Sequence, residues 1–326
     1  MDCIKFHYLI GGIYMKIDSR VLPELNQAFS QFPGFQLEGD LEASRSLLSN
    51  PHLEKSELVH MTKRMIPGAA GEMLVKIYEP VEKNLDKLPA MLWIHGGGYV
   101  MGHPDMDDVL CERFVQTAEC AVVSVDYRLA PEHPYPAAIE DCYAGLVWMT
   151  NEADSLGIDV NRVAIAGASG GGGLTAALAL MARDKGGPSI VFQMPLYPML
   201  DSRNITPSSY EIIEDNATWN RANNLTAWGM YLGKENDTNE PSPYAVPSRA
   251  DNLAGLPPTY TCVGQLDLFR DEIIEYVTRL AQAGVDVEFH LYPGCFHCFE
   301  VLVPEAEVSQ RASQNYFDAM ARALHP

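Results

Sequence analysis

The chain alternates short apolar runs with longer amphipathic segments. Eight apolar runs, many rich in β-branched residues, have the length of strands: residues 58–66, 73–79, 90–95, 121–126, 163–167, 190–196, 259–264 and 287–292. Several of them are almost continuously apolar, as expected for strands that helices cover on both faces. The first two runs are close enough in sequence to pair as antiparallel neighbours at one edge of a sheet.

Helix-length segments separate the later runs. They are residues 106–119, 137–152, 174–185, 271–283 and 305–323, and each is amphipathic. The alternation predicts an α/β fold with a mostly parallel, eight-stranded sheet flanked by helices. Right-handed crossovers bring the carboxyl ends of parallel strands to one edge, so we expect the ligand site there.

Two regions interrupt this alternation without offering a strand. Residues 1–50 are helical in pattern from residue 16, and residues 201–250 contain Trp219, Trp228 and a proline-rich exit. We expect residues 1–50 to be an N-terminal cap segment and residues 201–250 a cap insertion over the active edge. Residues 51–200 and 251–326 then form the catalytic domain. A helical excursion without function is the alternative, and a second natural start at Met15 leaves the status of residues 1–14 open.

Composition and charge limit the kinds of partner that the chain can bind. The 326 residues carry a net charge of −20, which disfavours nucleic acid and anionic membrane surfaces. The apolar stretch at residues 8–15 is too short to span a bilayer, and no signal-peptide pattern surrounds it. Seven cysteines, an odd and scattered number, suit a reducing compartment, so we expect a cytoplasmic protein. Cys295 and Cys298 have C-x-x-C spacing, but no second ligand pair follows, so we expect no metal.

The strongest chemical signal is a serine between glycines. Residues 167–171 read G-A-S-G-G, after an apolar strand and before a helical pattern, which is the context of a nucleophile elbow centred on Ser169. A phosphate-cradling turn is the first alternative, but the P-loop lysine and the full G-x-G-x-x-G spacing are absent. A purely structural tight turn is the second. The four consecutive glycines Gly170–Gly173 carry a helix-propensity cost that suggests a close approach to the backbone.

A second glycine-rich loop follows another strand. Residues 95–98 read H-G-G-G, which matches the oxyanion-hole loop that accompanies G-x-S-x-G. We expect the backbone N–H groups of Gly97, Gly98 and Gly170 to be the oxyanion donors.

An acid and a histidine should follow the serine in chain order. Asp267 comes directly after the strand at residues 259–264, whereas Asp271 and Glu272 suit the first turn of the next helix. His297 lies in the loop after the last strand. We therefore predict Ser169, His297 and Asp267 as a catalytic triad.

These motifs carry a family resemblance. The chain from about residue 58 onward resembles the hormone-sensitive-lipase-like branch of the α/β-hydrolases, on the residues quoted above and on residues 126–138, which read D-Y-R-L-A-P-E-H-P-Y-P-A-A. The resemblance implies an α/β-hydrolase fold with a helical cap, the same triad and oxyanion hole, and a serine carboxylesterase acting on short-to-medium acyl esters. It also implies pairing of two copies through the edge of the last strand as a homodimer.

Two alternatives share the scaffold: an amidase or deacetylase with the same triad, and a non-catalytic small-molecule receptor. We expect no cofactor and a small-molecule ester as substrate, and Tyr99, Trp219 and Trp228 are candidates to line its pocket.

The chain departs from the family pattern at three positions. Ala168 and Gly170 flank the serine where the family usually has an acidic residue or threonine and an alanine, and Cys298 follows the histidine where glycine is common. A thiol at that place suggests that activity is sensitive to alkylation or oxidation.

Overall fold

One eight-stranded sheet organises the molecule. The computed structural model describes residues 17–48, 56–213, 217–234 and 240–326. The strands are β1 (Val59–Gly68), β2 (Gly71–Pro80), β3 (Leu88–Ile94), β4 (Ala121–Val125), β5 (Ile158–Ala168), β6 (Phe192–Leu196), β7 (Thr259–Leu266) and β8 (Val287–Phe296), in the order β1-β2-β4-β3-β5-β6-β7-β8. Strand β2 pairs antiparallel with β1 and β4, and all other neighbours are parallel. The predicted sheet, with its antiparallel edge, is confirmed.

Helices connect these strands and cover the sheet. They are α1 (Asn26–Gln31), α2 (Leu41–Leu47), α3 (Asp108–Ala118), α4 (Ala137–Asn151), α5 (Ala153–Leu156), α6 (Gly170–Lys185), α7 (Pro207–Glu211), α8 (Arg221–Leu232), α9 (Arg270–Gln282), α10 (Phe299–Leu302) and α11 (Glu307–Leu324). Helix α3 packs against α11, where the rings of Phe114 and Phe317 meet edge-on at 4.7 Å, and α4 packs against α6. All seven residues of β3 are buried, because helices lie over both faces of the central strands.

Most element bounds differ by a few residues from the sequence-based expectation, and two elements begin four or five residues earlier than predicted. Helix α6 begins at Gly170 instead of residue 174, because the glycine run is itself helical. Strand β5 begins at Ile158 instead of residue 163, because Ile158 pairs with Leu88 of β3 across an irregularity in the ladder. Local propensity opposes the first of these features, so tertiary packing must supply the stabilisation.

The carboxyl ends of four parallel strands converge at one edge. His95 follows β3, Ser169 follows β5, Asp267 follows β7 and His297 follows β8. Strands that are parallel and adjacent end on the same side of the sheet, so the fold alone brings these loops together.

The two segments predicted as a cap lie at this edge and contact each other. Residues 17–48 contain α1 and α2, and the described part of residues 201–250 contains α7 and α8, without a strand. The Asn223 amide on α8 donates to the carbonyl of Phe35 at 3.0 Å and accepts from the N–H of Leu37 at 3.3 Å. Arg45 on α2 donates to the carbonyl of Val100, beside the H-G-G-G loop, at 2.9 Å. Residues 1–16 of the predicted N-terminal segment lie outside the described residues.

Within the described ranges, no helix is both long enough and apolar enough to cross a membrane.

Candidate active site

Ser169 sits on a strained turn between β5 and α6. Its backbone angles, φ 56° and ψ −117°, are a conformation that non-glycine residues rarely adopt. The turn is fixed on both sides, since the Ser169 N–H donates to the carbonyl of Leu196 at 2.9 Å and its carbonyl accepts from the N–H of Met199 at 3.0 Å. This is the geometry of a nucleophile elbow, which lifts the hydroxyl clear of the backbone at the N-terminus of α6.

The four glycines after Ser169 are each closely packed. A Cβ at Gly170 would lie 2.9 Å from the backbone nitrogen of Gly98, and one at Gly172 would lie 2.8 Å from the carbonyl of Leu196. A Cβ at Gly171 would overlap the carbonyls at the end of β3, and one at Gly173 would overlap the Tyr99 hydroxyl. The close approach that the sequence suggested therefore exists at every position of the run.

Ser169, His297 and Asp267 form a continuous chain of hydrogen bonds. The Ser169 Oγ lies 3.0 Å from His297 Nε2, and His297 Nδ1 lies 2.7 Å from Asp267 Oδ2. With Nδ1 protonated, the imidazole donates to the carboxylate and leaves Nε2 free to accept the serine proton. The second carboxylate oxygen, Asp267 Oδ1, accepts the N–H of Phe269 at 2.9 Å, which fixes its orientation.

Aromatic rings and the Asp267 carboxylate set the surroundings of His297. Tyr197 and Phe269 each meet the imidazole edge-on at 5.2 Å. Burial is the largest single effect and lowers the pKa of His297, but the charge and hydrogen bond of Asp267, together with the interaction with Cys298, outweigh it, and the pKa is raised. His297 is 6% exposed and Ser169 is 6% exposed, so the reacting atoms are shielded from bulk water.

The three predicted oxyanion donors lie next to one another. Among the described residues, the N–H groups of Gly97, Gly98 and Gly170 donate to no protein acceptor, which leaves all three available to a ligand. The Gly97 carbonyl accepts from the N–H of Met101 at 2.9 Å, which closes the loop into a tight turn, and Gly97 and Gly98 both have positive φ. Unused backbone donors close to a serine hydroxyl are suited to bind a developing negative charge.

His95, which begins the H-G-G-G loop, packs under it. Its ring stacks on Tyr127 at 4.2 Å, and the Tyr127 hydroxyl donates to the His95 carbonyl at 2.9 Å. Burial lowers the pKa of His95 to about 4, so the ring is neutral near pH 7. Its role is to support the loop.

The predicted pocket aromatics occupy two different places. The Tyr99 hydroxyl donates to the carbonyl of Met199 at 2.7 Å, and its ring packs on Trp228 and stacks on Tyr231, which places Tyr99 and Trp228 in one buried aromatic cluster. Trp219 lies instead directly over Gly98, where a Cβ would be 2.5 Å from the Cη2 atom of the indole. The structure thus brings Trp219 to Gly98, one of the predicted oxyanion donors, whereas Tyr99 and Trp228 both pack against Tyr231.

Asp271 and Glu272 lie in the first turn of α9, as predicted. Asp271 accepts the N–H of Ser208 at 2.7 Å, and Glu272 accepts the N–H groups of Leu200 at 2.7 Å and Asp201 at 3.2 Å. These two acids tie residues 200–208 to helix α9 and take no part in the hydrogen-bond chain of Ser169.

The sequence-based reasoning missed two residues that contact or lie near His297. The Thr218 hydroxyl donates to the His297 carbonyl at 2.8 Å. Glu300 is buried, and neither of its carboxyl oxygens has a hydrogen-bond partner of normal geometry among the described residues, so burial raises its pKa. Thr218 lies about 80 residues before His297 in the chain, and no sequence motif indicates that the two residues are in contact. Glu300, three residues after His297, reads as an ordinary charge at a helix start.

The C-x-x-C pair does not belong to a larger ligand cluster. In the described part of the chain, no group of three or more histidine, cysteine, aspartate or glutamate side chains is placed to hold a metal. Cys295 is buried, Cys298 is half-buried in a left-handed backbone conformation, and the six described cysteines are free thiols.

Known proteins of one family resemble this chain over most of its length. Residues 91–301 match the family described as the alpha/beta hydrolase fold. The chain is 40% identical to Esterase LipI of Mycobacterium tuberculosis over 261 residues, which cover 80% of this chain and 81% of that protein. It is 39% identical to Carboxylesterase NlhH of the same species over 260 residues, 77% of this chain and 78% of that protein. The solved structure of a bacterial heroin esterase superposes with a TM-score of 0.88 at 37% identity, covering 94% and 98% of the two chains.

Proposed function

The chain belongs to the hormone-sensitive-lipase-like family of α/β-hydrolases, and on that premise we propose that it is a serine carboxylesterase for short-to-medium acyl esters. The observation that carries the proposal is the unbroken chain from Ser169 Oγ through His297 to Asp267, with distances of 3.0 and 2.7 Å. Named relatives with esterase activity support the reaction class, and the buried site supports a small substrate.

The reaction begins with Ser169. His297 Nε2 accepts the hydroxyl proton as Ser169 Oγ attacks the ester carbonyl carbon. Asp267 holds the imidazole in the tautomer with Nδ1 protonated and stabilises the imidazolium that forms. The imidazolium then protonates the leaving alcohol as the tetrahedral intermediate collapses to an acyl-enzyme. Water, activated by the same imidazole, releases the acid and regenerates the serine.

The oxyanion is stabilised by backbone dipoles that are already in place. The N–H groups of Gly97, Gly98 and Gly170 are the donors in this proposal, and their fixed loops need no reorganisation during the reaction. Loss of one such donor costs about 2.7–4 kcal/mol of transition-state stabilisation in related chemistry.

The two segments at the active edge form the cap in this proposal. Residues 17–48 and the described part of 201–250 contact each other and reach the loops that carry His297 and Gly98. A covered site of this kind favours small esters over an extended lipid surface, and the tie of Thr218 to His297 couples the cap to the catalytic loop.

The test is hydrolysis of p-nitrophenyl acetate and butyrate by the purified chain and by the Ser169→Ala variant. We expect ready turnover by the wild type and a loss of several orders of magnitude in kcat for the variant, with an unchanged circular dichroism spectrum. Variant activity within a few-fold of wild type would refute the assignment of the nucleophile. Faster turnover of a matched p-nitroanilide than of the ester would favour an amidase, and binding without turnover would favour a receptor.

A further inference from the structure

A cavity of about 230 Å³ opens between the N-terminal segment and the start of α8. We call it the outer cavity, and its walls include Pro33, Phe35, Leu37, Asn220, Asn223 and Thr226. This volume is below the roughly 300–1,000 Å³ of pockets that hold a whole ligand, so it suits only part of one. Ser169 and His297 are not part of its walls.

Two aromatic rings connect the outer cavity with the reacting groups. Phe35 lines the cavity and meets the ring of Trp219 edge-on at 6.1 Å between centroids. The far edge of the same indole contacts Gly98, where a Cβ would lie 2.5 Å from Cη2 and 2.8 Å from Cζ2. The contacts therefore run from the cavity through Phe35 and Trp219 to a predicted oxyanion donor.

The indole is held in this position by buried amides. Its Nε1–H donates to Asn224 Oδ1 at 3.0 Å, and the Asn224 amide donates in turn to Asn204 Oδ1 at 2.5 Å. Both asparagines are buried, so this relay is costly to break. The preceding residue, Thr218, is fixed to the His297 carbonyl at 2.8 Å. Residues 218 and 219 thus span the site from the histidine loop to the oxyanion loop.

We propose that Trp219 is the specificity-determining wall of the site, and that Phe35 and Trp219 separate the site from the outer cavity, which can receive the longer substituent of an ester only when the indole is removed. This inference rests on the proposed esterase function. With the indole in place, substrate beside Gly98 has little room, so small substituents are favoured. Removing the indole joins the outer cavity to the site and admits longer ones.

The chemistry of the cavity walls limits the substituent it would receive. Proline, phenylalanine and leucine side chains supply apolar surface, and the asparagines and threonine supply neutral polar groups. Among the described residues that line the cavity, Glu38 carries the one charge, which is negative. The outer cavity therefore suits an uncharged, partly apolar chain and disfavours a carboxylate-bearing one.

The test compares p-nitrophenyl acetate, butyrate and octanoate with wild type, Trp219→Ala, Trp219→Phe and Asn224→Ala. The quantity measured is the ratio of kcat/KM for octanoate to that for acetate. We expect this ratio to rise by about tenfold or more in Trp219→Ala, since each accommodated methylene is worth a factor of this order. Smaller rises are expected in Trp219→Phe, which keeps part of the ring, and in Asn224→Ala, which leaves the ring but releases its N–H.

Trp148→Phe is the matched control. Trp148 lies on α4, where Arg64 stacks over its ring at 5.8 Å, so the same indole-to-phenyl change is made away from the site. Its ratio should match that of the wild type. A purely structural role for Trp219 would lower the melting temperature and kcat for all three esters alike, and an unchanged ratio in folded Trp219→Phe and Trp219→Ala would overturn the inference.

The outcome for the wild type separates this inference from the proposed function. Suppose that the wild type hydrolyses esters, that Ser169→Ala does not, and that the Trp219 variants keep the wild-type ratio. The proposed esterase function would then be supported, and the role of Trp219 in specificity would be refuted. Absence of ester turnover by the wild type would overturn the proposed function and this inference with it.

Discussion

Replacing Gly173 by alanine changes the free energy of unfolding in two opposite ways, through helix propensity and through tertiary packing. Gly173 is in the first turn of α6, and alanine is favoured over glycine in a helix by about 0.5–1 kcal/mol. The added methyl, however, would overlap both the Tyr99 hydroxyl and the Met199 carbonyl, which hydrogen-bond to each other at 2.7 Å. Both groups are buried, so neither can turn to water.

The packing cost exceeds the gain in helix propensity, so the Gly173→Ala protein should be less stable than the wild type. Overpacking a core costs about 1–3 kcal/mol, and leaving a buried partner without its hydrogen bond costs about 1–3 kcal/mol more. After the gain in helix propensity is subtracted, the free energy of unfolding should fall by about 1–5 kcal/mol. Because Tyr99 directly follows Gly98, the oxyanion loop should shift as well, and kcat should fall more than KM changes.

Urea unfolding followed by circular dichroism measures the stability change, and p-nitrophenyl butyrate hydrolysis measures the effect on activity. Gly229→Ala is the control, since Gly229 lies inside α8 with no atom near its missing Cβ. That variant should gain up to about 1 kcal/mol. A Gly173→Ala protein as stable as wild type would refute the packing described for the glycine run.

Three further predictions concern the groups around His297. Asp267→Asn should lower kcat by about 10⁴-fold, because the imidazole would no longer be held in the tautomer with Nδ1 protonated. Asp267 raises the pKa of His297, so the acid limb of the variant's residual kcat/KM–pH profile should move to lower pH. An acid limb at the wild-type pH would contradict this prediction. Burial raises the pKa of Glu300 above its ordinary value of 4.5, so the wild type loses stability as the pH rises above that value. Glu300→Gln should therefore gain stability relative to the wild type over that rise, as measured by urea unfolding. A difference that stays the same from below pH 4.5 upward would contradict this prediction. Burial raises the pKa of the Cys298 thiol, so iodoacetamide should inactivate the enzyme slowly at neutral pH and faster at alkaline pH. If Cys298→Ala is inactivated as fast as the wild type, another residue is the one that reacts.

The pattern of the sequence was sufficient for the sheet and for the convergence of the motifs. Continuous apolar runs separated by helical periods specify parallel strands, and parallel strands place residues such as Ser169, Asp267 and His297 at one edge. The close packing of the glycine run could also be predicted from the sequence, because four glycines at a helix start are costly unless another group approaches the backbone closely.

Contacts between distant segments were beyond sequence reasoning. Trp219 and Trp228 look alike in sequence, yet one lies over Gly98 and the other packs against Tyr99. Their difference depends on tertiary contacts of the described residues around each ring, which no local periodicity encodes. The sequence did not reveal that the carboxyl of Glu300 is buried, because burial is a property of the tertiary structure.

Covalent labelling of Ser169 tests the central claim most directly. A fluorophosphonate reacts with a serine that a neighbouring histidine activates, and mass spectrometry of the digested protein locates the adduct. We expect one equivalent of probe on the peptide that contains Ser169, with loss of ester hydrolysis in proportion to labelling and no adduct in Ser169→Ala. An unlabelled Ser169 in a protein that still hydrolyses esters, or an adduct on a different residue that accounts for the loss of activity, would contradict the account.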